Sequence, residues 1–546
     1  MLQDKPLARE QASAQAFDPS TIRFGTDGWR AIIGQDFTVE NLARVALASA
    51  KVFKEDNPTN NDGKQPLMLV GYDCRENAST YALIAAVILT SQGFDVLLSD
   101  NYCPTPTLCW SIAQNPAAVG GLMLTSSHNP AEYLGVKLRM RDGGASPQSF
   151  SNRVEEALSA ELPEVFDEAL AVAQTLSQLD TAELQASMQD ASEQAGEGQE
   201  VQAGQAGQAG RAESARIVST LEIADFMQPY LAELESLVDK DALAAAKLRV
   251  VVDPMYGAGR GYLADLLRKL GVEVEEINSA ADPSFAGLHP EPIPPWVNDG
   301  LAKTAELSYD ACFITDGDAD RIGAGSRDGS FVNPHKILAL ICDLLVEDKG
   351  QKGRVIRTIS GSSLIKRQCE RLGLELTTTP VGFKWIYEEM LKGDVMLGGE
   401  ESGGMGIPTH VRERDGLLMA LLLAELMAKK GKDLGALVDE LHDTLGYLDY
   451  SRNDLRLTEE QKETFLAEVC AKELGTEVYQ PRFDAADEQI TSIDYRDGIK
   501  FEFASDAWLL ARPSGTEPLV RVYVEAATTE RVEQLQEIGC AIVKGE

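Results

Sequence analysis

The sequence is poor in basic residues, and this shortage limits the partners that the protein can bind through bulk charge. Lysine and arginine number 50 against 86 aspartates and glutamates, which gives a net charge of -36 over 546 residues. A surface of that sign repels nucleic acid and anionic membranes. It also disfavours an anionic substrate, unless a local group of arginine, lysine and backbone N–H groups forms a site for it.

Paired cysteines and long apolar runs are also missing. The eight cysteines show no CxxC spacing, the closest two being Cys103 and Cys109, so we predict reduced thiols. The N-terminus has no apolar signal region, and the longest apolar runs, such as 417–428, are too short to span a bilayer. We therefore predict a cytoplasmic protein that has neither nucleic acid nor a membrane as a partner.

Nucleotide-binding and histidine metal motifs are absent as well. No Walker A sequence occurs, and DPMYGAGRGYL (253–263) has Gly257 and Gly259 but Tyr262 at the third glycine position of a dinucleotide loop. Nothing in the sequence therefore indicates a nucleotide cofactor. Four histidines show no metal-ligand spacing and are interpreted as structural: His289, His335, His410 and His442.

Alternating helix and strand patterns predict an α/β protein with mixed, mainly parallel sheets. We predict three related α/β domains at 1–215, 216–330 and 331–447, and a C-terminal α+β domain at 448–546. A segment rich in Gln, Gly and Ala at 193–214 is too poor in apolar residues to offset its ordering entropy. We expect it to be a disordered surface insertion that activity does not require.

Four polar or glycine-rich loops follow predicted strands, at the sheet edge where α/β proteins bind ligands. The first is TSSHNP (125–130), which follows an apolar run. Ser127 is either a nucleophile or a helix N-cap. Lys137, ten residues further on, is either a base that returns to the same site or a surface lysine.

The second loop, DGDADR (316–321), is a candidate metal site. Asp316, Asp318 and Asp320 follow the apolar strand ACFIT, and three carboxylates at this spacing suit Mg²⁺ or Ca²⁺. An acidic solvated turn is the alternative. An EF-hand is excluded because Arg321 and Arg327 stand where that loop needs glycine and glutamate.

The remaining two loops are candidate sugar and phosphate sites. GGEESGG (398–404) offers Glu400, Glu401 and Ser402 as acceptors for sugar hydroxyls, although a plain glycine-rich turn is the alternative. RPSGTEP (512–518), followed by Arg521, can form a phosphate cradle from a guanidinium, two hydroxyls and backbone N–H groups. An ordinary turn explains that sequence equally well.

Five motifs in this order resemble the α-D-phosphohexomutase family over nearly the whole chain: FGTDGWR (24–30), TSSHNP, DGDADR, GGEESGG and RPSGTEP. The resemblance implies four domains around a central cleft and a reversible shift of phosphate between O1 and O6 of a hexose. GEES (399–402) is most similar to the glucose-phosphate members. We therefore expect interconversion of glucose 1-phosphate and glucose 6-phosphate, with a phosphomannomutase, a glucosamine-phosphate mutase or a bifunctional phosphohexomutase as alternatives.

The same resemblance implies a role for each matching residue. Ser127 would carry a phosphoryl group, and Ser127, Asp316, Asp318 and Asp320 would hold one Mg²⁺ per subunit. Glucose 1,6-bisphosphate would be the intermediate and activator. Catalysis would also involve Lys137 as general acid or base, with His128, Arg30 and Arg321 in support. The hexose phosphate would be bound by Glu400, Ser402, Lys384, Arg512, Ser514, Gly515, Thr516 and Arg521.

The sequence departs from the family pattern at one position, and two other classes of protein are alternatives to a mutase. Ser126 stands where the family usually has Ala or Gly, so a second hydroxyl lies beside the nucleophile and could also be phosphorylated. A Mg²⁺-dependent sugar phosphatase would use an aspartate of DGDADR as its nucleophile and would release inorganic phosphate. A non-catalytic sugar-phosphate sensor is disfavoured, because a sensor does not need the serine, the lysine and the metal loop together.

Overall fold

Four β-sheets follow one another along the described chain, with helices between their strands. The computed structural model describes residues 17–25, 27–57, 65–176, 219–514 and 518–546. The predicted insertion at 193–214 lies outside these residues. Within them, no helix combines the length and the apolar character that a membrane span requires.

The first sheet is mixed and has seven strands. They are β1 (Phe24–Gly25), β2 (Gly28–Ile32), β3 (Leu67–Tyr72), β4 (Asp95–Ser99), β5 (Ala118–Leu124), β6 (Tyr133–Met140) and β7 (Leu221–Ala224), in the spatial order β1-β2-β6-β5-β3-β4-β7. β3 lies parallel to β4 and β5, whereas β6 runs antiparallel to β5. β6 begins directly after the loop that follows β5 and runs back beside β5.

The second and third sheets are each built on three neighbouring parallel strands. The second contains β8 (Arg249–Asp253), β9 (Glu273–Glu276), β10 (Ala311–Thr315), β11 (Ile322–Gly325) and β12 (Phe331–Val332), in the order β12-β11-β10-β8-β9. The third contains β13 (Arg354–Thr358), β14 (Leu376–Thr379), β15 (Val395–Gly399) and β16 (Met405–Gly406), in the order β14-β13-β15-β16. Parallel pairing joins β10 to β8 and β8 to β9, and it joins β13 to both β14 and β15.

The fourth sheet is wholly antiparallel and is covered by the C-terminal helix Thr529–Lys544. Its strands are β17 (Asp449–Arg456), β18 (Ile490–Asp494), β19 (Ile499–Phe503), β20 (Trp508–Pro513) and β21 (Leu519–Ala526), in the order β17-β21-β20-β19-β18. Buried Lys500 on β19 contacts the third unit directly after β13, where its Nζ donates to the carbonyl oxygen of Ile359 at 2.8 Å. The predicted fold class, three α/β domains and a C-terminal α+β domain, is confirmed, while the predicted boundaries between domains stay a prediction.

The longest apolar run of the sequence forms a buried helix rather than a surface or membrane element. Helix Gly416–Lys430 begins where the Asp415 side chain accepts a hydrogen bond from the Leu418 amide, and every residue from Leu417 to Met427 is buried. Its one buried acid, Glu425, pairs with Lys349 at 2.8 Å. The helix packs against β10 and β11 of the second sheet and against the helix Pro334–Asp343. The second and third units share one apolar core.

The other helices pack around the sheets and connect their strands. Those of the first unit are Val39–Asp56, Ala78–Ser91, Thr105–Gln114, Gln148–Glu156 and Phe166–Leu176. Those of the second and third units are Met227–Ser236, Lys240–Ala246, Tyr262–Lys269, Asn298–Leu307, Pro334–Asp343, Ser363–Leu372, Phe383–Met390 and Leu434–Leu445. The fourth unit adds Glu459–Phe465 and Thr476–Phe483. The four loops singled out in the sequence leave the carboxyl ends of β5, β10, β15 and β20.

Candidate active site

The loop after β5 places Ser127 against the carboxylates of the metal loop. The Ser127 side chain is fully buried, and its Oγ donates to Asp316 Oδ2 at 3.0 Å and lies 3.4 Å from His128 Nδ1. Its φ of 51° is left-handed, a conformation that costs a residue other than glycine about 1–3 kcal/mol. No helix begins at this loop, so the N-cap interpretation of Ser127 is wrong.

The neighbouring Ser126 is buried in a different environment. Its side chain is fully buried, and its Oγ has no hydrogen-bond partner within the described part of the chain. Of the two adjacent hydroxyls, it is the one on Ser127 that contacts Asp316. The geometry therefore favours Ser127 over Ser126 as the reactive group.

Two buried residues that the sequence patterns did not reveal, Asp73 and Arg75, hold this loop in place. Asp73 Oδ2 accepts hydrogen bonds from Thr125 Oγ1 at 2.6 Å and from Arg75 Nε at 3.2 Å. The Ser127 amide in turn donates to Thr125 Oγ1 at 2.8 Å. The Arg75 guanidinium donates at 2.7–2.9 Å to the carbonyl oxygens of Ser127, Asn129, Pro130 and Tyr133. The available signal was a D-x-R sequence immediately after an apolar strand.

The loop after β10 gathers three buried carboxylates. Asp316, Asp318 and Asp320 are fully buried, and one oxygen from each lies within 4.8 Å of the others. Burial, followed by repulsion from Asp318 and Asp320, raises the pKa of Asp316 well above its usual value. Oδ1 of Asp318 and Oδ1 of Asp320 have no hydrogen-bond partner among the described residues. This oxygen-only set fits a hard divalent cation such as Mg²⁺, and the solvated-turn interpretation is wrong.

Two glycines allow the loops that follow β5, β10 and β15 to pack directly on one another. A Cβ on Gly317 would lie 2.4 Å from the carbonyl oxygen of Ser127. Gly403 has a φ of +97°, and a Cβ there would lie 2.4 Å from the carbonyl oxygen of Ile322. A backbone bridge between Arg321 and Gly404 joins the same two loops. A side chain at either glycine would separate the loops that form the site.

Lys137 on β6 is buried among carboxylates, so the surface-lysine interpretation is wrong. Its side chain is 1% exposed, and its Nζ lies 2.7 Å from Asp318 Oδ2, 2.8 Å from Asp320 Oδ2 and 3.0 Å from Asp27 Oδ2. Burial alone would lower the pKa of Lys137. The three carboxylates outweigh burial and raise this pKa above its usual value, so the side chain is an ammonium here.

Arg414 connects the metal loop to the sugar loop and was not identified from the sequence. Its Nη2 lies 2.9 Å from Asp320 Oδ2 and also contacts Asp27, while its Nη1 lies 3.7 Å from Glu400 Oε2. Asp27 belongs to the motif FGTDGWR, but the sequence alone does not indicate which residue pairs with it. Arg414 stands at the start of the long buried helix, far from Asp27 in sequence, so the pairing shows only in the fold.

The three predicted supporting residues lie around Ser127. Arg30 donates from Nη1 to Asn129 Oδ1 at 2.7 Å. The Arg321 amide donates to Asp316 Oδ1 at 3.0 Å. Burial, followed by the positive charge of Arg321, holds the pKa of His128 well below its usual value, so His128 is a neutral imidazole.

The sugar loop presents one buried and one half-buried carboxylate. Glu400 is 7% exposed, and its burial raises its pKa to about 7, although Arg414 opposes that shift. Glu401 Oε2 accepts a hydrogen bond from Thr358 Oγ1 at 3.1 Å. Ser402 follows them in a half-buried position. This loop is packed against the metal loop, which a free glycine-rich turn would not require.

Two predicted phosphate-binding arginines lie side by side on the fourth sheet. Arg512 on β20 is directly opposite Arg521 on β21, so their side chains leave the same face of the sheet. Arg512 Nε donates to Asp497 Oδ2 at 2.8 Å, and Arg521 Nε lies 3.5 Å from Asp454 Oδ2. Each guanidinium therefore has a carboxylate beside it in this structure.

The other predicted substrate residues lie nearby or outside the described chain. Ser514 is buried at the end of β20, whereas Gly515 and Thr516 lie outside the described residues. Lys384 is the second residue of the helix Phe383–Met390 and donates to Gln148 Oε1 at 3.0 Å. Asp497, which binds Arg512, also accepts from the Val381 amide at 2.9 Å, so Asp497 connects β20 to the segment that precedes the Lys384 helix.

The fold and this site together define a family. Models of the phosphoglucomutase/phosphomannomutase domains match the chain in sequence: α/β/α domain I at 21–164, α/β/α domain II at 228–329, α/β/α domain III at 333–445 and the C-terminal domain at 456–539. The chain belongs to this phosphoglucomutase/phosphomannomutase family of the α-D-phosphohexomutases. It is therefore a phosphohexomutase, an enzyme that moves phosphate within a hexose phosphate.

Individual relatives differ in the sugar that their names specify. The phosphoglucomutase/phosphomannomutase of Thermococcus kodakarensis is 28% identical over 523 residues, covering 95% of this chain and 98% of the relative. The phosphoglucosamine mutase of Limosilactobacillus reuteri is 28% identical over 532 residues, covering 94% and 97%. The crystal structure of a putative phosphomannomutase from Thermus thermophilus is 32% identical, with a TM-score of 0.75 and coverage of 96% and 99%.

Proposed function

We propose that the protein interconverts glucose 1-phosphate and glucose 6-phosphate through a phosphoserine at Ser127 and a glucose 1,6-bisphosphate. The contact between Ser127 Oγ and Asp316, 3.0 Å long and within a buried group of three carboxylates, is the observation that carries this proposal. The choice of glucose depends on GEES (399–402) and its buried Glu400. The cytoplasmic location stays a prediction.

The metal loop fits Mg²⁺ through its own residues. Asp316, Asp318 and Asp320 would hold the ion, together with an oxygen of the phosphate on Ser127. When bound, Mg²⁺ offsets the negative charge that develops on the transferring phosphoryl group. The two buried Oδ1 atoms that lack hydrogen-bond partners among the described residues are available for a cation.

In the first transfer, a hydroxyl of the bound hexose monophosphate attacks the phosphorus on Ser127. The bond from phosphorus to Ser127 Oγ breaks as the bond to the sugar oxygen forms, which yields the bisphosphate. We assign the proton transfer to Lys137, because it is a buried amine that contacts the same aspartate cluster as Ser127. Because its pKa is raised, Lys137 is the acid form in this structure. It would give a proton to Oγ as that atom leaves phosphorus and would then take up the proton that the attacking sugar hydroxyl loses.

The second transfer requires the bisphosphate to turn end for end and return its other phosphate to Ser127. Such a turn needs a site that binds the sugar in two orientations. Glu400 and Ser402 would accept hydrogen bonds from sugar hydroxyls in either one. The phosphate that is not reacting would be bound by Lys384, Arg512, Ser514, Gly515, Thr516 and Arg521. The paired arginines on one face of the fourth sheet support this role.

A glucosamine-phosphate or mannose-phosphate mutase is the second candidate function, because the relatives include a phosphoglucomutase/phosphomannomutase and a phosphoglucosamine mutase. Values of kcat/KM for glucose 1-phosphate, mannose 1-phosphate and glucosamine 1-phosphate distinguish the sugars. We expect glucose 1-phosphate to exceed the others by about tenfold, since one wrong hydrogen-bonding group costs at least that much. A higher value for another sugar would overturn the choice of glucose and leave the mutase mechanism intact.

Intact-protein mass tests the phosphoserine. We expect the wild-type chain to carry one phosphoryl group that disappears in Ser127→Ala and persists in the matched control Ser126→Ala. The Ser127→Ala variant should also lose mutase activity, and the wild type should release no inorganic phosphate from glucose 1-phosphate. Retained activity in Ser127→Ala together with phosphate release would instead support a phosphatase with an aspartate nucleophile.

A further inference from the structure

Thr105 joins the first unit of the fold to the metal loop of the second. It is the first residue of the helix Thr105–Gln114 and its side chain is fully buried. Its Oγ1 donates to Asp318 Oδ2 at 2.5 Å, and its amide donates to the carbonyl oxygen of Asp318 at 3.0 Å. Both the side chain and the backbone of one aspartate are therefore held by one threonine.

The residues around Thr105 restrict its backbone. Pro104 precedes the helix with a φ of -54°, and Pro106 follows Thr105 in the first turn. A proline ring fixes its own φ and restricts the residue before it, so this segment has little freedom to move. The hydroxyl of Thr105 is thus presented to Asp318 from a rigid position.

Thr105 is one of two donors that bind the same oxygen of Asp318 and leave its other oxygen without one among the described residues. Asp318 Oδ2 also accepts from Lys137 Nζ at 2.7 Å, so its two donors come from separate elements and fix the carboxylate plane. Asp318 Oδ1 remains buried, with no hydrogen-bond partner among the described residues. Asp320 repeats this pattern, since its Oδ2 contacts Lys137 and Arg414. Its Oδ1 also lacks a hydrogen-bond partner in the described ranges.

We propose that Thr105 is a positioning residue for the divalent cation, because its hydroxyl fixes the orientation in which Asp318 offers Oδ1. The inference rests on the cation site of the proposed function. Outer partners of this kind typically change metal affinity 10- to 100-fold when they are removed. Thr105 would act through Asp318, without contact to the sugar.

Calorimetric titration of the full-length protein with Mg²⁺ tests this role. Thr105→Val keeps the shape of the side chain and removes the hydroxyl, and we expect it to weaken Mg²⁺ binding about 10- to 100-fold. Thr105→Ser restores the hydroxyl and should bind within about threefold of wild type. The matched control is Thr107→Val on the same helix, because the fully buried Thr107 hydroxyl contacts Met227 Sδ at 3.4 Å. This control should bind Mg²⁺ like the wild type.

Activity measured at increasing Mg²⁺ separates positioning from a general loss of structure. Thr105→Val should need more Mg²⁺ for half-maximal activity yet approach the wild-type kcat at saturation. Wild-type affinity in Thr105→Val, or equal losses in Thr105→Val and Thr107→Val, would overturn the inference. The proposed function fails separately: a wild type that binds Mg²⁺ but does not isomerise hexose phosphates would refute the mutase while leaving the role of Thr105 intact.

Discussion

Arg75→Lys should slow catalysis although the Arg75 side chain donates no hydrogen bond to the three aspartates of the metal loop within the described chain. The guanidinium uses two nitrogens to bind four carbonyl oxygens of the nucleophile loop at 2.7–2.9 Å. A lysine keeps the positive charge but carries all its donors on one nitrogen. It therefore cannot hold carbonyl groups on both sides of the loop at once.

The magnitude follows from the conformation that Arg75 maintains. Ser127 has a left-handed φ of 51°, and releasing that strain is worth about 1–3 kcal/mol. Each lost hydrogen bond to the charged guanidinium removes about 1.5–3 kcal/mol of the restraint that opposes this relaxation. If the observed conformation of the Ser127 loop becomes less favourable by about 1.4–2.8 kcal/mol relative to the relaxed one, kcat falls about 10- to 100-fold. KM should stay within about threefold, because the predicted sugar and phosphate groups lie on other loops.

A coupled mutase assay measures kcat and KM, and intact-protein mass measures the proposed phosphoserine in the same preparation. The control is Arg153→Lys, a half-buried residue paired with Glu55 and Asp56, which should change kcat by less than about twofold. Thermal unfolding verifies that Arg75→Lys remains folded. If folded Arg75→Lys keeps at least half of the wild-type kcat, the loop does not depend on this brace and the reasoning is wrong.

Three further outcomes are expected. Arg512→Met should raise KM for hexose phosphates about 10- to 100-fold without removing the phosphoserine, and an unchanged KM would contradict its phosphate-binding role. Deletion of 193–214 should leave kcat within about twofold of wild type, whereas loss of activity in a folded deletion variant would show that the insertion is needed. Burial, aided by Arg357, lowers the pKa of Lys500 from 10.5 to about 7. Between those values the unfolded chain holds a proton that the folded chain has released, so stability rises with pH by at most about 1.4 kcal/mol per unit. Wild type should therefore gain Tm relative to Lys500→Met between pH 7 and 9.5, and a constant difference would refute the assignment.

Residues that act at the end of a strand could be identified from the sequence. Ser127 and the three aspartates each follow an apolar run, and the edge of an α/β sheet is where such loops meet. The burial of Lys137 was harder to predict from the sequence, because a lysine on a strand is usually exposed. Its burial depends on β6 running back antiparallel beside β5, which sequence spacing alone does not determine.

The site residues that the sequence analysis did not identify are defined by contacts between distant parts of the sequence. Arg75 binds carbonyl groups more than 50 positions away, and no side-chain pattern marks a backbone oxygen as a partner. Asp27 and Arg414 meet across 387 positions. Thr105 reaches Asp318 across 213 positions, so its ordinary appearance in a proline-rich turn gave no sign of that contact. Arg75 meets its partners within the first unit, whereas Asp27 and Thr105 meet theirs only when separate units pack together.

If Ser127 carries the phosphoryl group, as we propose, its complete burial also bears on how the enzyme would avoid losing that group to water. If water reached a phosphorylated Ser127, hydrolysis would release inorganic phosphate and leave a free serine. A hexose monophosphate could rephosphorylate that serine only by leaving as free sugar, whereas a bisphosphate would leave as a monophosphate, so each hydrolysis would consume one phosphate without forming product. Under the proposed mechanism, the exclusion of bulk solvent from Ser127 therefore determines how many turnovers follow each phosphorylation of the serine. A mutase that admitted water to this serine would act as a slow phosphatase.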